Sequence, residues 1–210
     1  MRACIFLNGQ INDYDLIKQK VKNYDLIICC DGGANHMYKL GLVPNYIVGD
    51  LDSINEEVLE CYKKKNVEFR KFNKEKDETD MQLATILAKE IGAKSIDFFS
   101  SLGGRIDHTL ANINFLYYVK SLWIQTKIIS EYEEIFILVN EYKEFDFGIG
   151  QVVSIIPIEN SKVTLKGFKY PLDNYEMKFY LPLGVSNEVS EEKNSINVDG
   201  SVLLIRQIGL

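Results

Sequence analysis

Asp25-Leu26-Ile27-Ile28-Cys29-Cys30 runs from one acid to the next without a polar break. A strand with one face in water alternates apolar and polar side chains, whereas an unbroken apolar run of this length reads as a strand buried on both faces. Such strands belong to parallel sheets covered by helices on either side. Parallel neighbours need crossover connections, so the flanking sequence must supply helices.

It does so across the first 130 residues. Cys4–Leu7 is a short apolar strand, and Asp13–Lys22 carries Leu16, Ile17 and Val21 at helical spacing. After Asp31-Gly32-Gly33 a short helix runs through Leu40 and stops at Gly41. Pro44 opens a strand that ends at Gly49-Asp50. Ser53 and Glu56 match a capping box, which predicts a helix from there to about Lys65. Val67–Phe72 is the next strand. Thr79 and Gln82 form a second capping box, before a helix with Leu83, Ile86, Leu87 and Ile91 on its apolar face. Ser95–Ser100, a helix with Leu110, Ile113 and Tyr117, and Thr126–Ser130 complete the half. The βαβα order predicts an α/β domain over 1–130, a mostly parallel sheet with flanking helices.

From about Glu131 the texture changes. Glu134–Val139, Glu144–Phe147, Gln151–Pro157, Lys162–Lys166, Glu176–Tyr180, Ser195–Val198 and Ser201–Arg206 are short strand-like runs separated by Gly, Pro, Asn and Asp. This predicts an all-β sandwich domain over 131–210. Its core is modest, so packing on the first domain or on a second subunit is expected.

Composition narrows function. The net charge of −6 gives no electrostatic support to nucleic-acid binding. No stretch approaches the roughly 20 apolar residues of a membrane span, and the apolar run at the N-terminus is too short for a signal-peptide core. The four cysteines form no C-x-x-C pair, so neither a disulfide framework nor a zinc site is indicated, and a reduced cytoplasmic compartment is expected.

The chemistry-bearing residues sit where strands end. Asp50 and Asp52 are two apart on an extended segment and so project to the same side. Two facing carboxylates repel unless a cation lies between them, and Mg²⁺ with phosphate oxygens is the usual partner. Taken singly, such an Asp pair also suits a polar loop that caps the next helix. Asp31, Asp80 and Asp107, however, fall at equivalent strand ends or helix starts, where ligands bind in open α/β sheets. Gly103-Gly104-Arg105 leads into a helix. There, glycines let backbone N–H groups approach a phosphate and Arg105 can clamp it, although a plain turn with a surface Arg fits as well. Neither a Walker motif nor G-x-G-x-x-G occurs. His36 and His108 are too few for a histidine metal site, and Trp123, among apolar residues, is expected in the core. In the β half, Ser186 and Asn187 stand at a strand junction, where turn residues are usual and hydrogen bonding to a heteroaromatic ring is the alternative.

With these segments assembled, the chain resembles the bacterial type of the thiamine pyrophosphokinase family. The matching stretches are Asp31-Gly32-Gly33-Ala34-Asn35, Gly49-Asp50-Leu51-Asp52-Ser53, Lys76-Asp77-Glu78-Thr79-Asp80, Gly103-Gly104-Arg105-Ile106-Asp107-His108 with Ala111-Asn112, Lys166-Gly167-Phe168-Lys169-Tyr170, and Gly184-Val185-Ser186-Asn187-Glu188. They appear in family order and cover nearly the whole chain. The resemblance implies transfer of a pyrophosphoryl group from ATP to the hydroxyl of thiamine, giving thiamine diphosphate and AMP, with Mg²⁺. It also implies a homodimer with active sites between subunits. It sets Asp50, Asp52, Asp80 and Asp107 around metal and phosphates as catalytic residues, with Asp50, Asp52 and Asp80 as metal ligands. Asp31, Gly32, Gly103, Gly104 and Arg105 fall on the nucleotide side, and Gln82, Ser186 and Asn187 on the substrate side. Gln82 replaces a Glu frequent in bacterial relatives, and the C-terminal Trp that animal members place near thiamine has no counterpart here. Two other classes stay open: another Mg-nucleotide transferase, such as a glycosyltransferase, and a non-catalytic thiamine or nucleotide sensor.

Overall fold

The computed structural model describes residues 1–72 and 78–208; Lys76 and Asp77 of the third matching segment lie outside them. The chain divides into two compact units, Met1–Glu131 and Tyr132–Leu210.

The first unit alternates β1 (Arg2–Phe6), α1 (Tyr14–Lys20), β2 (Leu26–Cys30), α2 (Gly33–Lys39), β3 (Tyr46–Gly49), α3 (Glu56–Lys64), β4 (Glu68–Lys71), α4 (Asp80–Ile91), β5 (Ser95–Phe99), α5 (Ile106–Ser121) and β6 (Gln125–Ile129). Its strands lie in the order β6-β5-β1-β2-β3-β4, and every pairing among them is parallel. This is the expected α/β architecture. The apolar run ending at Cys30 is β2, and all but Ile27 of it is buried. Phe6, Cys29, Ile47 and Phe99 from four strands pack with Met37 and Leu40 of α2 and Tyr62 of α3 in one cluster. Phe6 and Phe99 stack with ring centroids 4.9 Å apart.

Two local expectations differ. Ser53 does not cap α3: Asn55 is the N-cap, and the Ser53 hydroxyl donates to Asp52 Oδ1 at 3.0 Å. The local Ser-x-x-Glu pattern is overridden because the segment follows the acidic loop. The second capping pattern holds at Thr79, whose Oγ1 accepts from Gln82 N at 3.2 Å. Trp123 is not a core residue. It follows the C-cap of α5 with φ +62° and is 94% exposed, while its neighbour Ile124 is buried in its place.

The second unit contains β7 (Glu133–Val139), β8 (Tyr142–Phe145), β9 (Val152–Pro157), β10 (Ser161–Lys166), β11 (Leu172–Met177), β12 (Asn187–Glu188), β13 (Asn194–Asp199) and β14 (Ser201–Gln207). All pairings are antiparallel, in the orders β12-β9-β14-β7 and β11-β10-β13-β8. Leu138, Val153, Ile155, Val202 and Leu204 from one layer meet Val163, Leu165, Met177, Ile196 and Val198 from the other, which makes the expected sandwich. The strand expected at Glu176–Tyr180 is instead Leu172–Met177, and that expected at Glu144–Phe147 is Tyr142–Phe145. Phe179 and Tyr180, which carry strong strand propensity, lie in an exposed turn.

Candidate active site

Parallel pairing brings the ends of β2 and β3 side by side. Asp31 N donates to Val48 O at 3.0 Å, so the residue after β2 lies against the end of β3. Asp31 adopts a left-handed backbone (φ +41°) and turns its carboxylate toward the following loop, where Oδ1 accepts from Leu51 N at 2.9 Å. Gly49 makes this possible. Its φ is +141°, and a Cβ there would overlap the Asp31 carboxylate. Leu51, itself at φ +72°, lies between Asp50 and Asp52 in the tight turn after β3, and Asp52 N donates to Asp50 Oδ1 at 3.1 Å. Non-glycine residues in this backbone region cost free energy and collect at functional sites.

The result is a cluster. Asp31, Asp50 and Asp52 each offer a carboxylate oxygen, and these atoms all lie within 4.8 Å of one another. Asp80, the first residue of α4, hydrogen-bonds to Asp31. Partial burial, then the shared hydrogen bond with Asp80 and the charges of Asp80 and Asp50, push the Asp31 carboxyl up from 3.8 to about 7, against the lowering effect of Leu51 N–H. Four acids from two strand ends and a helix start thus converge. Asp31, placed on the nucleotide side by the family resemblance, is geometrically a member of the acidic group. A compact set of hard oxygen donors fits a small oxygen-preferring divalent cation, whose charge would offset the repulsion among them.

The cluster is braced from outside. Asn35 of α2 donates from Nδ2 to Ser53 O at 2.9 Å and accepts at Oδ1 from Asn55 N at 3.0 Å, tying the acidic loop to the helix. Gly32, at the N-cap of α2, is packed against the Asn8 carboxamide.

The loop after β5 carries a charged pair of its own. Gly103 and Gly104 have φ +82° and +73°, which side chains rarely adopt. Arg105 donates from Nε and Nη2 to the two oxygens of Asp107, at 3.1 and 2.5 Å, and Asp107 also accepts from His108 N at 2.9 Å. The Arg105 fork holds the Asp107 carboxyl below the usual range. Among the described residues Asp107 is therefore Arg105's partner, not a fourth member of the close metal-type group. Asn112 Nδ2 donates to Ser101 O at 2.8 Å and anchors α5 to this loop.

In the second unit, Ser186 has φ +57° and its N–H donates to Ser154 Oγ at 3.0 Å. Asn187 is buried. Its Oδ1 accepts from Tyr170 N at 3.1 Å and Glu188 N at 2.9 Å, and its Nδ2 donates to Tyr170 O at 2.9 Å. Three of its four hydrogen-bonding capacities are thus spent on the backbone. What this clamp presents is the Tyr170 ring, 62% exposed at the end of a turn whose Gly167 (φ +79°) is packed against Lys193 and Asn194. Tyr170 carried no local signal beyond its place in a matching segment.

Residues 17–129 match the family model described as thiamin pyrophosphokinase, catalytic domain, and residues 136–203 the model described as thiamin pyrophosphokinase, vitamin B1 binding domain. The chain belongs to the thiamine pyrophosphokinase family. It is similar to the thiamine pyrophosphokinase of Bacillus subtilis (strain 168), with 30% identity over 185 residues that cover 87% of this chain and 86% of that one. It is also similar to thiamine pyrophosphokinase 1 of Arabidopsis thaliana, with 30% identity over 85% of this chain and 76% of the relative. Among solved structures, the Bacillus subtilis thiamine pyrophosphokinase superposes with a TM-score of 0.89 at 28% identity, over the whole of both chains. The Geobacillus thermodenitrificans structure gives 0.85 at 25% identity, over 100% of this chain and 98% of that one. As a thiamine pyrophosphokinase, the protein is an enzyme that makes thiamine diphosphate with ATP as co-substrate.

Proposed function

We propose that pyrophosphoryl transfer from ATP to thiamine takes place at the acidic cluster, with Mg²⁺ held by Asp31, Asp50 and Asp52 and with Asp80 beside them. The observation that carries this reading is the convergence of three carboxylate oxygens within 4.8 Å at the carboxyl ends of a parallel sheet. When bound, the ion supplies charge neutralisation for the triphosphate and fixes its orientation.

The chain's own residues do the rest by position. Arg105 and the backbone of Gly103-Gly104 orient the nucleotide's phosphates, and Asp107 holds the Arg105 guanidinium in a fixed plane. The thiamine hydroxyl attacks the β-phosphorus in line, and AMP leaves with the bridging oxygen. The hydroxyl proton passes to a carboxylate. Of Asp80 and Asp107, Asp80 is the better acceptor, because the fork of Arg105 makes Asp107 a weaker base. Gln82, in the first turn of α4, serves the thiamine side. In the second unit, Ser186 and the Asn187–Tyr170 clamp form the thiamine-binding edge, with the exposed Tyr170 ring as a platform for a cationic heteroaromatic.

A homodimer is part of this reading. Ile106, Leu110 and Tyr117 recur along α5 and remain exposed, as do Phe179, Leu183 and Val185 in the second unit; apolar area of this kind suits a subunit interface. A reduced, cytoplasmic setting accords with four free cysteines, three of them buried. Among the described residues no helix is long and apolar enough to cross a membrane.

Product analysis tests the reading. Incubation with ATP, Mg²⁺ and thiamine is expected to yield AMP and thiamine diphosphate in equal amounts, with neither formed in EDTA. ADP as product would mean phosphoryl transfer instead. Thiamine binding without any nucleotide turnover would point to a sensor.

A further inference from the structure

The loop between β1 and α1 has no role in the reading above, yet it occupies the centre of the site's floor. From β1 the sheet runs one way through β2, β3 and β4 and the other way through β5 and β6, so the carboxyl end of β1 lies at the switch point of the topology. The loop backbone is firmly held. Leu7 N donates to Phe99 O at 3.0 Å, Gly9 N to Ser100 O at 2.7 Å and Gln10 N to Leu102 O at 2.9 Å. Ser100 Oγ donates to Leu7 O at 2.6 Å. His36 Nε2 donates to Gly9 O at 2.8 Å, and Tyr14 OH donates to His36 Nδ1 at 2.7 Å. On the far side the buried Glu131 accepts from Asn12 N at 2.5 Å.

Glycines make room for two side chains of this loop. A Cβ on Gly32 would overlap the Asn8 carboxamide, and one on Gly103 would overlap the Gln10 side chain. Asn8 therefore lies against the turn that follows Asp31, and Gln10 against the Gly103-Gly104 turn. Both are exposed, and neither carboxamide has a hydrogen-bond partner among the described residues. A firmly held backbone that carries two solvent-facing amides, free of protein partners among the described residues, between two glycine turns is organised in advance for a ligand rich in acceptor oxygens.

We infer that Asn8 and Gln10 are nucleotide-positioning residues. Asn8 Nδ2 donates to a phosphate oxygen of the ATP held at the acidic cluster, and Gln10 Nε2 donates from the Gly103 side. This rests on the reading of that cluster as the ATP site.

Asn8→Ala, Asn8→Asp and Gln10→Ala test it. Steady-state AMP formation and calorimetric titration with a Mg²⁺-loaded, non-hydrolysable ATP analogue are measured on each. A hydrogen bond to a charged oxygen predicts a KM for MgATP and a Kd for the analogue raised about 10- to 100-fold in Asn8→Ala. The rise is larger in Asn8→Asp, whose carboxylate repels phosphate, and smaller in Gln10→Ala. The thiamine KM and the melting temperature stay unchanged, because both side chains are exposed and unpaired. Unchanged analogue affinity in both Asn8 variants, or a rise confined to the thiamine KM, overturns the inference even if the wild type makes AMP normally. A wild type that binds the analogue but makes no thiamine-dependent AMP would defeat the functional reading, and the titration would still decide the role of Asn8.

Discussion

Asp31→Asn separates what the acidic cluster does for function from what it costs the fold. At 4.8 Å, the upper limit of their spacing, carboxylate oxygens repel by about 3.5 kcal/mol per pair at an effective dielectric constant of 20, and by about 0.9 kcal/mol in bulk water. The pKa gives a second measure. A carboxyl that titrates at about 7 instead of 3.8 opposes folding, once ionised, by an upper limit of about 4 kcal/mol. Asp31 is only partly buried, so solvent screening reduces this to about 1–2 kcal/mol. The sign follows from the raised value. The folded state holds this proton more tightly than the unfolded chain does, so the associated stability is present below pH 4 and is lost as pH rises through 7. Asn keeps the Oδ1 acceptor for Leu51 N and removes the charge. Without divalent cation, Asp31→Asn is therefore expected to match the wild type near pH 4 and to gain on it up to pH 7. Above that it melts about 2–8 °C higher. Added Mg²⁺ and ATP reverse the order, since the variant lacks a ligand. Thermal unfolding by circular dichroism from pH 4 to 8 in EDTA reads this directly. A difference independent of pH, or a variant less stable than wild type at pH 8, would refute the electrostatic reasoning.

Other substitutions probe the supports. Gly49→Ala forces a side chain into φ +141° and against the Asp31 carboxylate, and urea unfolding should show a loss of about 1–3 kcal/mol together with loss of activity. Asn187→Ala removes three hydrogen bonds from a buried clamp and should cost about 2–3 kcal/mol in the same assay, with a raised thiamine KM and an unchanged MgATP KM. Asp80→Asn should lower the single-turnover rate at saturating MgATP and thiamine, with the melting temperature the control for folding. Asp107→Asn should chiefly raise the KM for MgATP by releasing Arg105, and should leave the melting temperature unchanged because the pair is fully exposed.

Local physics made much of this molecule legible in its sequence. The unbroken run ending at Cys30 could satisfy its backbone and its side chains only as a central parallel strand, and Thr79 with Gln82 marked the start of α4 correctly. Where expectation and structure part, a nonlocal contact decides. Asp31 and Asp50 are distant in sequence, and only the pairing of Cys30 with Val48 and the left-handed turn at Asp31 bring their carboxylates together. Ser53 had a capping pattern, but its hydroxyl is taken by Asp52. Aromatic residues misled twice. Trp123 and the Phe179-Tyr180 pair have the composition of core or strand, yet a helix end and a turn leave them exposed. The loop of Asn8 and Gln10 has no local motif; its place at the switch point comes from the strand order, which no local pattern encodes.

The central claim is that the strand-end carboxylates hold the divalent ion of the transferring triphosphate. Mn²⁺ as a paramagnetic substitute, titrated by electron paramagnetic resonance in the presence of a non-hydrolysable ATP analogue, tests it most directly. One analogue-dependent Mn²⁺ per chain is expected in the wild type, with affinity at least about 10-fold weaker in Asp50→Asn and Asp52→Asn variants that retain wild-type circular dichroism. Unaltered Mn²⁺ affinity in both variants would place the metal elsewhere and contradict the account.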